Sequence, residues 1–160
     1  MDPSCADAMG VFVASDEHTF HRASASASAS VWTDAVRVKA ALNAKLAKRN
    51  RDTNTGFLRY VSDVRAYFEK KVGKKRGVSF EVTNVGVVDG GEEGRWRMSR
   101  MMFTQSASVT GAAVQFSVSS VKGGALCVCA TWQEALVERT FVEGVLRGYE
   151  QLVEDITKEG

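Results

Sequence analysis

The side chains of this 160-residue chain that could do chemistry fall in a few places. His18 and His21 lie in Ser15-Asp16-Glu17-His18-Thr19-Phe20-His21-Arg22. An imidazole is the usual general base near neutral pH, and two of them three residues apart can share a metal ion. Three polar clusters, Thr83-Asn84-Val85-Gly86, Phe103-Thr104-Gln105-Ser106 and Thr131-Trp132-Gln133, stand at the ends of short alternating segments. Hydroxyls and amides gathered at strand ends are where a site could be built. Lys70, Lys71, Lys74, Lys75 and Arg76 form a basic group that could hold a phosphate. Lastly, Cys127 and Cys129 bring two thiols close together.

These groups carry unequal weight. Both histidines border the repeat Ala23 to Ser30, a strict Ala-Ser alternation. Small side chains cannot offset the entropy of ordering a backbone, so residues 15–30 are expected to form a flexible loop, a poor mount for a catalytic base or a metal. Solvated loop histidines and no metal site are expected. Cys127 and Cys129 are two apart in a strand-like run and so share one face, where they cannot bridge each other. They are expected to be small packing residues in a reducing compartment, which points to the cytoplasm. Lysines at a helix C-terminus are favoured by its dipole, which makes a solvated face the simplest use of the basic group, with anion binding the alternative.

Periodicity supplies the elements that must position these groups. Met9 to Ala14 is a short apolar run suited to a strand. Ala35, Val38, Leu42 and Leu46 recur at helical spacing, with Thr33 or Asp34 placed to cap the start. A second helix is expected from Thr55 to Val72 on the stripe Phe57, Tyr60, Val61, Val64, Phe68 and Val72, ending at Gly73 in the left-handed conformation. From Val78 the period becomes 2, and four strands are expected: Val78–Gly86, Arg95–Ser106, Ala113–Val121 and Ala125–Gln133. Phe80 and Val82 alternate with Glu81 and Thr83, which turns Thr83 away from the apolar layer, while Trp96, Met98 and Met102 share a face of the next strand. Asp89 to Gly94 reads as a loop, and Lys122-Gly123-Gly124 as a hairpin turn. A final helix carries Phe141, Val145, Tyr149, Leu152 and Ile156. The expected fold is α/β (α+β), a two-layer sandwich with a mostly antiparallel sheet and helices on one face, formed by residues 1–160 as a single domain.

Composition excludes more than it identifies. Hydrophobic residues make up 44% and charged residues 25%, as in an ordinary globular domain, and 21 basic residues against 19 acidic ones leave no surplus for a nucleic-acid partner. No run of apolar residues reaches the roughly 18 that a membrane helix needs, and acidic residues interrupt the N-terminus where a secretory signal would lie.

The ordered series Met9-Gly10-Val11-Phe12-Val13, Trp32-Thr33-Asp34-Ala35-Val36-Arg37-Val38-Lys39, Phe80-Glu81-Val82-Thr83-Asn84-Val85-Gly86, Trp96-Arg97-Met98, Phe103-Thr104-Gln105-Ser106, Gly111, Gly123-Gly124 and Thr131-Trp132-Gln133 resembles the C-terminal half of fungal alcohol O-acetyltransferases. These enzymes belong with chloramphenicol acetyltransferase, plant acyltransferases and peptide-synthetase condensation domains. The resemblance covers residues 8 to 156, with Thr83-Asn84-Val85-Gly86 standing where the family wording is Ser-Asn-Leu-Gly. It implies two similar half-domains around a tunnel, with acetyl-CoA and a small-molecule alcohol entering from opposite sides. The family's base is the histidine of a His-x-x-x-Asp motif in the N-terminal half. Here Arg22 follows His18 by four residues and Ala25 follows His21 by four, so neither fits.

By that resemblance Thr83 is the candidate oxyanion donor, Asn84, Gln105 and Ser106 are candidate tunnel residues, and Lys74, Lys75 and Arg76 could meet the CoA phosphates. Trp132 is expected to pack rather than bind. Three readings stay open: a truncated acetyltransferase-like polypeptide, inactive alone; a non-catalytic half-domain that binds a protein partner through its exposed sheet or helix face; and an unrelated small α/β binding module.

Overall fold

The structure is a computed structural model, and it describes residues 15–20, 31–48, 54–91 and 95–158. The expected strand Met9–Ala14, the Ala-Ser repeat, His21 and Cys5 lie outside the described residues. The chain divides into two compact units, Met1–Tyr67 and Phe68–Gly160.

In the first unit, α1 runs from Val31 to Ala47. It begins two residues earlier than the capping residues suggested, so Asp34 falls inside its first turn, where a carboxylate still complements the helix dipole. Arg37 reaches back to the same carboxylate at 3.1 Å and stacks over the Phe20 ring at 5.0 Å. Leu42 and Leu46 of the expected stripe are exposed. The second expected helix is broken. Asn54–Phe57 form α2, Leu58–Tyr60 a 3-10 turn, and Val64–Glu69 form α3. The break has a local cause: Val61 turns extended, and the Asp63 carboxylate accepts a hydrogen bond from the Ala66 amide at 2.9 Å, which caps a new helix instead of continuing the old one. Gly73 takes φ +75°, the left-handed conformation expected there.

The second unit is built on three strands: β1 (Phe80–Val88), β2 (Val114–Val121) and β3 (Leu126–Trp132), in the order β1-β2-β3. β2 pairs with β3 as the antiparallel hairpin expected around Lys122-Gly123-Gly124, with Gly123 at φ +65°. β1 pairs with β2 in parallel, so the sheet is mixed rather than mostly antiparallel. Residues 95–106, expected to be a strand, form no part of the ladder. A parallel pair needs a long crossover to bring the chain back to the same end, and the described residues 89–91 and 95–113 belong to that crossover. Within it, residues 97–107 run as an extended strap. Met98 N donates to Gly90 O at 3.0 Å, Ala125 N donates to Ser99 O at 3.1 Å, and the Ser119 hydroxyl donates to Met101 O at 2.8 Å. Met101, Phe103 and Gln105 are half-buried while Met102, Thr104 and Ser106 are exposed, the opposite phase from the Trp96, Met98, Met102 face expected. Trp96 is 90% exposed.

The helix α4, Arg139–Lys158, meets one face of this sheet through its first turns. Phe141, Val142 and Val145 line an open pocket of about 150 Å³ together with Ser79, Phe80, Val114 and Phe116. Val142 has no exposed surface, whereas Phe141 and Leu152 of the expected stripe remain largely exposed. The Phe80 and Phe116 rings meet edge to face at 6.4 Å on this side of the sheet. Among the described residues no helix is long and apolar enough to cross a membrane.

The close approach of strap and hairpin depends on glycine. A Cβ on Gly124 would lie 2.3 Å from the Ser99 carbonyl oxygen, and one on Gly90 would lie 2.3 Å from that of Met98. Backbone cannot step aside as a side-chain tip can. Gly124→Ala is therefore expected to destabilise the chain by about 1–3 kcal/mol, as overpacking does. Gly77→Ala, which would meet nothing within 4 Å, is expected to leave the urea midpoint unchanged or slightly raised. Equal midpoints for the two variants would contradict this packing.

Candidate functional site

The two faces of β2 differ in chemistry. Val114, Phe116 and Val118 look toward α4, while Gln115, Ser117 and Ser119 look the other way and are nonetheless buried. Register carries this polar face across the sheet. Glu81 on β1 is opposite Gln115, which is opposite Thr131 on β3; Thr83 is opposite Ser117, which is opposite Cys129; and Ser119 is opposite Cys127. Cross-strand neighbours stand about 5 Å apart, so these side chains form two short polar rows.

Thr83 is half-buried on this polar face, as its alternation with Phe80 and Val82 suggested. Its hydroxyl donates to the Glu81 carboxylate at 3.4 Å, and the Gln115 side-chain amide donates to the other oxygen of that carboxylate, also at 3.4 Å. Both are long contacts, weak ones that an incoming group can replace. Asn84 is exposed, and its carbonyl oxygen accepts from the Gly86 amide at 2.8 Å. That bond shapes a bulge, where the register slips between Asn84 and Val87 and Gly86 takes φ +82°. Ser120 steadies the same bulge by donating to Gly86 O at 3.3 Å.

Gln105 is on the inward side of the strap and Ser106 on its outward side. Lys74 and Lys75 are exposed on the turn after α3. Arg76 is differently employed. Its Nη1 donates to three carbonyls, those of Ser108 at 3.0 Å, Gly111 at 2.6 Å and Ala112 at 3.2 Å, and so ties down the end of the strap where it enters β2. His18, in the other unit, shares the Asp16 carboxylate with Lys45, at 3.5 and 3.4 Å. Cys127 is buried and Cys129 half-buried, both as free thiols on the polar face. Trp132 lies on the α4 side, beside Val114, and is half-buried, with an indole N–H that finds no acceptor. Among the described residues no three His, Cys, Asp or Glu side chains cluster as a metal site.

Sequence reading missed Gln115 and Ser117. Four buried oxygens on the strap and this face have no hydrogen-bond partner: Gln105 Oε1, Gln115 Oε1, Ser117 Oγ and Thr131 Oγ1. Folded proteins rarely leave such atoms unpaired, because each costs about 1–3 kcal/mol when buried. The signal was present in Gln115-Phe116-Ser117-Val118-Ser119, where every second residue is polar.

A model of the alcohol acetyltransferase family matches residues 19–153, a span that includes β1, the strap, the hairpin and most of α4. The chain belongs to the alcohol acetyltransferase family. It is 34% identical over 125 residues to the probable alcohol acetyltransferase crmB of Aspergillus fumigatus, a match covering 74% of this chain and 27% of that protein. It is 28% identical over 133 residues to the probable alcohol acetyltransferase FCK4 of Fusarium pseudograminearum, covering 82% of this chain and again 27% of the relative. This acetyltransferase-family chain thus spans about a quarter of the length of the curated relatives it matches. No solved structure matches it.

The Arg76 clamp makes a prediction of its own. A guanidinium with three carbonyl acceptors is worth about 1.5–3 kcal/mol. Arg76→Ala is expected to speed amide hydrogen exchange most strongly at Ala113, whose N–H bonds to Ser79 O at 3.2 Å. Exchange left unchanged there would show that the clamp does not hold the strap.

Proposed function

We propose that this chain is the oxyanion-side wall of an alcohol acetyltransferase that moves an acetyl group from acetyl-CoA to an alcohol. The family match over residues 19–153 carries this reading. On it, the acetyl thioester lies against the polar face of the sheet, and the Thr83 hydroxyl leaves Glu81 to donate to the oxyanion formed when the alcohol attacks. Gln105 and Ser106 border the tunnel, and Asn84 holds the bulge that follows Thr83 within β1. Lys74 and Lys75 are the side chains left to meet the CoA phosphates, since Arg76 is engaged by the strap. The alcohol's proton goes to a histidine of a His-x-x-x-Asp motif supplied by the remainder of the enzyme. Free thiols at Cys127 and Cys129 suit a cytoplasmic, reducing setting, and secondary metabolism is the natural origin of the acceptor.

A second reading is supported by the apolar surface of the second unit. Phe80, Val82, Val85 and Val87 are all about half exposed or more on an edge strand, and Phe141 of α4, also exposed, lines the same open pocket as Phe80. A non-catalytic half-domain that binds a protein partner through that surface would show the same pattern.

Two measurements separate the readings. The chain alone, with acetyl-CoA and a panel of alcohols, is expected to give no turnover above background, because loss of a general base removes about 10²–10⁴ in rate. Joined to the histidine-bearing portion of a relative it is expected to turn over. There, Thr83→Val is expected to lower kcat by about 10²–10³ while Thr83→Ser retains most of it. Equal kcat for Val and Ser at position 83 would remove Thr83 from the mechanism, and a joined protein that binds its other portion without turnover would favour the second reading.

A further inference from the structure

The unpartnered oxygens under the strap define what they lack. Gln115 is 7% exposed and Ser117 1% exposed, and both lie on the polar face of β2, the face whose Ser119 hydroxyl meets the strap at Met101 O. The Gln115 amide cannot turn to satisfy itself. Its Nε2 donates to Glu81 Oε2 at 3.4 Å, and the flipped form would set oxygen against carboxylate oxygen. Gln115 Oε1 therefore needs a donor from outside. Thr131 Oγ1, the next member of the same cross-strand row, is also without a partner, as is Ser117 Oγ in the neighbouring row. The open end of the first row is Glu81, an exposed carboxylate. Two carbonyl-type or carboxylate acceptors and two hydroxyls, with no cation paired to Glu81 among the described residues, make an acceptor-rich row of negative sign.

The covering strap is lightly held between its two anchors. Ser99 and Met101 are bonded at one end, and Arg76 grips residues 108–112 at the other. Residues 102–107 make no main-chain hydrogen bond among those described.

We infer that the row Glu81, Gln115 and Thr131, with Ser117 beside it, binds the protonated amine of a small molecule, its ammonium resting on Glu81 and donating inward to Gln115 Oε1. An ammonium offers three donors and a charge, whereas a hydroxyl offers one donor and an apolar group none. The site adjoins the Thr83 hydroxyl assigned above to the oxyanion, but it needs neither CoA nor a base, so binding to the chain alone is what tests it.

The probes are 6-amino-1-hexanol, 1,6-hexanediol and 1-hexanol, titrated into the full chain and followed by amide and side-chain NMR shifts. The amino alcohol is expected to bind at least about fivefold more tightly than the diol, and the diol more tightly than hexanol. Its shifts should centre on the Gln115 side-chain NH₂, Ser117 and Thr131. The preference for the amine should shrink as salt rises from 20 to 500 mM, because Glu81 is exposed and screened. Glu81→Gln should abolish that preference, and since Glu81 is exposed the variant should keep the wild-type spectrum elsewhere. Equal affinity for the three probes, no binding of any, or shifts confined to the pocket around Phe80 and Val142 would each overturn the assignment.

Discussion

β2 is hydrogen-bonded along both edges and covered on both faces, and every other part of the second unit is arranged by that placement. Because β1 lies parallel to it, the chain must cross from the far end of the sheet back to the near end before β2 can begin. The crossover becomes the strap, and the strap becomes the roof of one face. Its fastenings are polar: the Met98 amide on Gly90 O, the Ser99 carbonyl on Ala125 N, the Ser119 hydroxyl on Met101 O, and Arg76 on the carbonyls at the entrance to β2. Gly90 and Gly124 permit the approach by presenting no side chain to the carbonyls that cross them.

With both faces covered, the strand's alternation has two different consequences. Toward α4 it yields an ordinary apolar contact among Phe80, Val114, Phe116 and Val142. Toward the strap it buries Gln115, Ser117 and Ser119, of which only the Ser119 hydroxyl is fully served by the fold. An apolar replacement of Ser117 would cost the fold nothing in lost partners, and one of Gln115 only its long contact with Glu81. Their presence on the face that holds Thr83 is the physical reason to place function there, in a chain whose family is the alcohol acetyltransferases.

Much of this was legible in the residues. The helices α1 and α4, the left-handed Gly73, the Lys122-Gly123-Gly124 hairpin and the outward turn of Thr83 all follow from periodicity and turn chemistry, although the stripes expected on the two helices stay largely exposed. The break at Ser62-Asp63 was written there too, but a sixfold apolar stripe outweighed one capping carboxylate in the reading of Thr55 to Val72. Residues 95–106 have strand composition and extended backbone, and only the parallel closure of β1 on β2 keeps them out of the ladder. Gln115 and Ser117 were hidden for a related reason. A strand reading apolar, polar, apolar, polar suggests one dry face and one wet face, and nothing local reveals that the wet face is roofed.

The central claim is that the polar face is kept for binding and catalysis at some expense in stability. Ser117→Ala tests it most directly, through the urea midpoint of the chain. Removing a buried hydroxyl that has no partner should leave the unfolding free energy from the urea titration unchanged or raise it, by up to about 1 kcal/mol. A fall of about 1 kcal/mol or more would mean that the hydroxyl is bonded and structural, and would contradict the account.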